Sequence, residues 1–231
     1  MEQVLEFPTA ELLVTALTER IRELLQHAVA RRGQASLAVS GGTTPIPLFV
    51  RLAEMDLPWD KVTISLVDER WVEAKDPASN ENLVRTYLLR HQAAAARFIP
   101  MKTEDPTAVQ GEETCALWQQ QISRPYDCLL LGMGHDGHTA SLFPGAHNLE
   151  AAVDLDSGKI CLASRPPAAP YERMTLTLPA ILASRQIFLH LQGEAKKQIV
   201  ARALEAGDAE EMPIRFILRQ QSTPVTIYWS P

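Results

Sequence analysis

The sequence predicts a single-domain α/β fold, a largely parallel sheet flanked by helices. Three observations carry this expectation. Short apolar runs of strand type alternate with helix-periodic stretches, the runs end in polar or glycine-containing loops, and no Gly/Ser tract or charge block interrupts residues 1–231 as a linker would. Parallel strands need crossover connections, and the helices that make them cover both faces of the sheet.

Taken in order, Leu12, Leu13, Ala16, Leu17, Ile21, Leu24, Leu25 and Ala28 recur at three and four, which predicts an amphipathic helix from Ala10 to about Arg32. Thr9 is placed to cap its start and Gly33 to end it. Ser36 to Val39 is a short apolar run leading into Ser40-Gly41-Gly42-Thr43-Thr44-Pro45, read as strand, tight loop and helix. Val62 to Val67 is a second buried-type strand ending at Asp68-Glu69-Arg70, and Asp127 to Leu131 a third ending at Gly132-Met133-Gly134-His135-Asp136-Gly137-His138. Ile187 to Leu191 runs into Gly193-Glu194-Ala195-Lys196 and a helix through about Ala206, and Val225 to Trp229 is the last strand. In open α/β sheets ligands bind beyond the carboxyl ends of the strands, so the four polar loops are expected to converge there.

Composition narrows the partners. A net charge of -6 excludes the broad cationic surface that nucleic acid or anionic lipid requires, while a small anion held by a few focused groups stays compatible. Three cysteines, Cys115, Cys128 and Cys161, show no CxxC pair or metal-ligand spacing and read as free thiols half in the core. The N-terminus has no basic region followed by an apolar one, and no apolar run approaches the roughly 20 residues of a membrane span. A cytoplasmic protein with no membrane partner is expected.

Several segments can carry chemistry. In Ser40-Gly41-Gly42-Thr43-Thr44-Pro45, glycines, hydroxyls and a helix N-terminus suit a phosphate, although in isolation an ordinary strand-to-helix turn is the better reading. Asp68-Glu69-Arg70, with Asn80 twelve residues after Asp68, offers a guanidinium for forked anion binding and acids that can orient a base. Taken alone, a solvated loop with internal ion pairs is at least as good a reading. The richest stretch is Gly132 to Gly145, where His138 can act as general base on water. His135, Asp136 and His138 are also proper metal ligands, but their spacing matches no common zinc pattern. Lys196 falls in the first turn of a helix, where a cation opposes the dipole unless an anion shares the site, whereas Lys197 and Arg202 read as solvated.

Together, Ser40-Gly-Gly-Thr-Thr-Pro, Asp68-Glu-Arg-Trp-Val with Ser79-Asn80, Gly134-His-Asp-Gly-His-Thr-Ala-Ser-Leu-Phe-Pro-Gly145, Arg173-Met-Thr-Leu-Thr and Gly193-Glu-Ala-Lys196 closely resemble the 6-phosphogluconolactonase family, in order and over almost the whole chain. The resemblance implies a Rossmann-like fold of the deaminase/lactonase type, no cofactor and no metal. It also implies hydrolysis of 6-phospho-D-glucono-1,5-lactone to 6-phosphogluconate, a step of the oxidative pentose phosphate pathway. By the family's pattern His138 is the general base, and Asp68 orients the substrate or that base. Gly41, Gly42, Thr43, Thr44, Arg70, Asn80, Gly134, Asp136, Gly137, Arg173 and Lys196 are the expected substrate and phosphate contacts. The expected mechanism is attack of His138-activated water on the lactone carbonyl, with oxyanion donors from the glycine-rich loop. The partner is a small phosphorylated sugar lactone, and a monomer is expected.

A sister family, the glucosamine-6-phosphate deaminases and isomerases, shares the fold and the Asp-Gly-His element but carries a catalytic glutamate five residues after the histidine. Here that position is Phe143, which cannot exchange a proton. A non-catalytic sugar-phosphate sensor is the remaining alternative, and the sequence shows no DNA-binding appendage for it.

Overall fold

In the computed structural model, which describes residues 3–167 and 170–231, seven strands form one parallel sheet. They are β1 (Gln3–Glu6), β2 (Ala35–Val39), β3 (Val62–Leu66), β5 (Arg97–Ile99), β6 (Cys128–Leu131), β9 (Ile187–Gln192) and β10 (Val225–Ser230), in the spatial order β1-β10-β9-β6-β2-β3-β5. Every residue of β2 and β6 is buried, as strands covered on both faces must be. A smaller antiparallel sheet joins β4 (Asp68–Arg70), β8 (Arg173–Leu176) and β7 (Cys161–Ser164), in that order.

The first helix, α1 (Ala10–Arg32), is bounded as its caps require. Thr9 Oγ1 accepts the Leu12 N–H at 3.3 Å, and Gly33, at φ 73°, donates its N–H to Val29 O at 2.8 Å. Leu13, Leu17, Ile21, Leu25 and Ala28 form its buried stripe. The remaining helices are α2 (Ile46–Ala53), α3 (Asn80–Tyr87), α4 (Glu112–Gln119), α5 (Leu149–Val153), α6 (Leu178–Leu182), α7 (Glu194–Leu204) and α8 (Ile214–Leu218). Cys115, Cys128 and Cys161 are all fully buried thiols, deeper than the half-core placement expected of them.

The order of strands decides where a ligand can sit. From β2 the chain builds β3 and β5 toward one edge, while β6, β9 and β10 extend toward the other. The adjacent β2 and β6 therefore flank the switch point, where the loops leave the sheet in opposite directions and open a crevice. Two hydrogen bonds join the loops there: Ser40 N–H to Leu130 O at 3.0 Å, and Gly132 N–H to Ser40 Oγ at 3.3 Å.

The sequence reading of one site segment changes in kind. Asp68-Glu69-Arg70 is a strand and not a solvated loop, and Glu69 is 0% exposed. Val67 is the junction: its N–H donates to Val39 O in the main sheet at 3.0 Å, and its carbonyl accepts Leu176 N–H of β8 at 2.8 Å. Three residues are too short to carry a strand period, so β4 becomes visible only through its partner β8, about a hundred residues away in the chain.

Candidate active site

The loops after β2, β6 and β9, together with β4, the start of α3 and β8, enclose a cleft of about 290 Å³ at the switch point. Of the residues singled out by sequence, Gly41, Gly42, Thr43, Thr44, Asp68, Arg70, Asn80, Gly134, His138, Arg173 and Lys196 line it. Asp136 and Gly137 do not. Gly137 is buried at φ 81°; its carbonyl accepts the Ile214 N–H at 2.8 Å, and a Cβ there would lie 3.1 Å from Met212 Cβ. Gly137 thus anchors the loop to the start of α8 and makes no wall of the cleft.

Asp136 reaches the cleft through His138. Its Oδ1 lies 2.6 Å from His138 Nδ1 and also accepts the His138 backbone N–H at 3.1 Å. Burial raises the Asp136 carboxyl, but the bond and charge of His138 outweigh it and hold the pKa at about 2. The carboxylate therefore fixes the proton on Nδ1 and leaves Nε2 as the basic atom. Glycine at 134 is a steric necessity: a Cβ there would stand 2.1 Å from His138 Nδ1 and 2.5 Å from Asp136 Oδ1. Phe143 completes the setting, with its ring centroid 4.2 Å from that of His138.

Asp68 has a different place from the one that would make it the histidine's partner. Ser141 Oγ donates to its Oδ2 at 2.6 Å, Asn80 Nδ2 donates to its backbone carbonyl at 2.8 Å, and Arg173 Nη1 is 3.9 Å from Oδ2. Arg70 and Arg173 are cross-strand neighbours in the β4–β8 register. Arg70 Nη1 donates to Ala78 O at 2.6 Å, and the Nε atoms of both arginines are buried without a partner among the described residues. Burial together with Arg70 lowers the Arg173 pKa, against the pull of Asp68 and Glu69. Two neighbouring guanidiniums whose Nε groups lack partners among the described residues are suited to an anion.

The N–H groups of Gly41, Gly42, Thr43 and Thr44, just before α2, bond to no group among the described residues. Lys196 Nζ donates to Met133 O at 2.7 Å, and burial lowers its pKa against the pull of Asp136. Asn80 packs against this loop so tightly that a Cβ on Gly41 would fall 1.8 Å from its Oδ1. By contrast Gly132 and Gly134 have already spent their N–H groups, on Ser40 Oγ and on His138 O at 2.8 Å, so neither is a free oxyanion donor.

Sequence reasoning missed three residues. Glu69 accepts from Arg70 N at 2.7 Å, Ser79 Oγ at 3.0 Å, Asn80 N at 2.8 Å and Glu81 N at 2.7 Å, tying β4 to the start of α3. Burial raises its carboxyl pKa to about 7 against these bonds. Ser141 holds Asp68, and His190 lines the cleft from β9. Glu69, between two residues already singled out, and Ser141, inside the Gly132 to Gly145 stretch, carried a local signal, and His190 did not. His135 is exposed, and among the described residues no three His, Cys, Asp or Glu side chains are grouped to hold a metal.

A parallel α/β fold with a histidine–carboxylate pair and a cationic wall at its switch point defines an enzyme of the small-anion-handling class. Residues 8–229 match the family Glucosamine-6-phosphate isomerases/6-phosphogluconolactonase, and the chain belongs to that family. A 6-phosphogluconolactonase of Rhizobium meliloti (strain 1021) is 40% identical over 99% of this chain and 97% of its own length. One of Pseudomonas putida is 40% identical over 99% and 93%. The crystal structure of a 6-phosphogluconolactonase from Shewanella baltica OS155 superposes with a TM-score of 0.98 at 45% identity, covering 100% of this chain and 98% of that one. A monomeric glucosamine-6-phosphate deaminase shares the fold, at a TM-score of 0.80 and 19% identity.

Proposed function

We propose that the protein hydrolyses 6-phospho-D-glucono-1,5-lactone to 6-phosphogluconate, with His138 as general base. The carrying observation is the Asp136–His138 pair at the cleft, 2.6 Å apart, facing a cationic wall built by Arg70 and Arg173. His138 Nε2 takes a proton from a water molecule as the water oxygen attacks C1 of the lactone. The tetrahedral intermediate collapses with cleavage of the bond from C1 to the ring oxygen, which takes the proton back from His138, leaving the open-chain carboxylic acid. Asp136 holds the imidazole in the required tautomer and stabilises it while charged. The phosphate rests on the N–H groups at Thr43 and Thr44 with Arg173 and Lys196, and its binding energy positions the carbonyl. Asp68, held by Ser141, orients the sugar hydroxyls or the water.

The deaminase reading is not favoured. The position that would need a proton-exchanging side chain holds Phe143, 7% exposed and packed at a tilt against the His138 ring. We further infer one catalytic unit working as a monomer in the cytoplasm, without nucleic acid. The cleft is lined by residues of this chain, the net charge is -6, and no helix among the described residues is long and apolar enough to cross a membrane.

The test is proton release near pH 7 from freshly generated lactone, comparing wild type with His138→Ala and with a chelator control. Hydrolysis well above the spontaneous rate that survives chelation and collapses in the variant is expected. A wild type that adds nothing to the spontaneous rate yet binds 6-phosphogluconate would replace the lactonase reading with the sensor.

A further inference from the structure

His190 stands in β9, one residue past Leu189, which pairs with Leu131, so it lies level with Gly132 at the switch point. It lines the cleft and is 5% exposed. Its Nδ1 is enclosed with no partner among the described residues. Nε2 makes no hydrogen bond either but is not enclosed, so it is the ring nitrogen on the open side. Leaving a buried polar atom unmatched costs free energy, and the cost is least when the enclosed nitrogen carries only its lone pair. That tautomer puts the ring's one N–H on Nε2, toward the cleft. Burial holds the His190 pKa down to about 4, so the ring is neutral at pH 7 and offers a single donor.

Resting on the phosphosugar reading above, we propose that His190 Nε2–H donates a hydrogen bond to the phosphate end of the ligand. The phosphate end is favoured over the reacting end by position: His190 lies three residues before Gly193 and Lys196, a phosphate contact in that reading, three residues after it, and both line the cleft. The residue acts in binding and takes no part in the proton transfers at His138.

The test uses glucose 6-phosphate, which has the phosphate but neither lactone nor carboxylate, as an equilibrium probe beside the lactone assay. Phe at 190 keeps the ring and removes the donor. His190→Phe is expected to raise Kd for glucose 6-phosphate and KM for the lactone about tenfold each, with kcat kept, the loss of one hydrogen bond to a charged acceptor. His190→Gln, which restores an N–H, should recover a large part of both. In wild type carrying ¹⁵N-histidine, the His190 ring should show the Nε2–H tautomer, and its resonance should move on titration with glucose 6-phosphate. Unchanged Kd and KM in His190→Phe would overturn the proposal. Should that variant not fold, a His190 resonance unmoved by saturating ligand would do the same. A wild type that fails to hydrolyse lactone while His190→Phe still weakens glucose 6-phosphate would remove the catalytic reading and leave this one standing.

Discussion

His138 is useful because three neighbours define it. Asp136 sets its tautomer, Gly134 leaves the space for their bond, and Phe143 covers the ring face. His138→Ala should lower kcat by about 10²–10⁴-fold while Kd for 6-phosphogluconate stays near the wild-type value, measurable by single-turnover kinetics and titration calorimetry. Gly134→Ala should fall in kcat in the same way, because the new methyl must displace either the imidazole or the carboxylate. Arg173→Ala should mainly raise KM, since the guanidinium acts through the phosphate. Equal losses of kcat and KM in both classes of variant would contradict this division. At this scale most residues of the cleft were legible in the sequence. The Asp-Gly-His spacing put the carboxylate and the base on one turn, though the choice of Asp136 over Asp68 as the histidine's partner required the loop's actual path.

Among the elements, the joint between β4 and α3 matters most. Glu69 supplies both carboxylate oxygens to four donors, two of them N–H groups of the first turn of α3, and so fixes Asn80 against Gly41 and Arg70 against the cleft. Glu69→Gln keeps the size but fixes a donor where the carboxylate, once ionised, accepts from all four groups. It should destabilise the fold by about 1–3 kcal/mol in urea unfolding and raise KM more than it lowers kcat. A variant with unchanged stability and KM would show the joint to be dispensable. The long periodic helix α1 and the apolar strands β2, β3, β6, β9 and β10 could be read from the sequence because their burial is periodic or continuous. The strands β4, β5, β7 and β8, three or four residues each, could not. Their pairing is chosen by neighbours distant in the chain, and so few residues hold no pattern to distinguish them from loop.

For the whole molecule, two buried groups oppose each other in acid. Burial holds the Glu69 carboxyl at about 7, above its ordinary 4.5, so between these values the native state holds a proton the unfolded chain has lost, and this contribution to stability falls as pH rises. His190 titrates at about 4 against 6.5, so the unfolded chain holds the extra proton and its contribution is lost as pH falls from 6.5 toward 4. Each amounts to roughly 3 kcal/mol across its window, and between pH 4.5 and 6.5 they should nearly cancel. Unfolding free energies from urea titrations at these two pH values should differ little in wild type. They should favour the lower pH in His190→Phe and the higher pH in Glu69→Gln; parallel shifts in both variants would refute the assignment. The sequence by itself determined the class of fold, the family and most residues of the cleft, because periodicity, strand-end loops and the Asp136 to Gly145 stretch are local properties of the chain. Tertiary structure alone decided the strand order that opens the crevice, the second sheet that sets Arg70 beside Arg173, and the burial of Glu69 and His190. Those depend on contacts between segments tens to more than a hundred residues apart, and desolvation is a property of the surroundings that no single segment encodes.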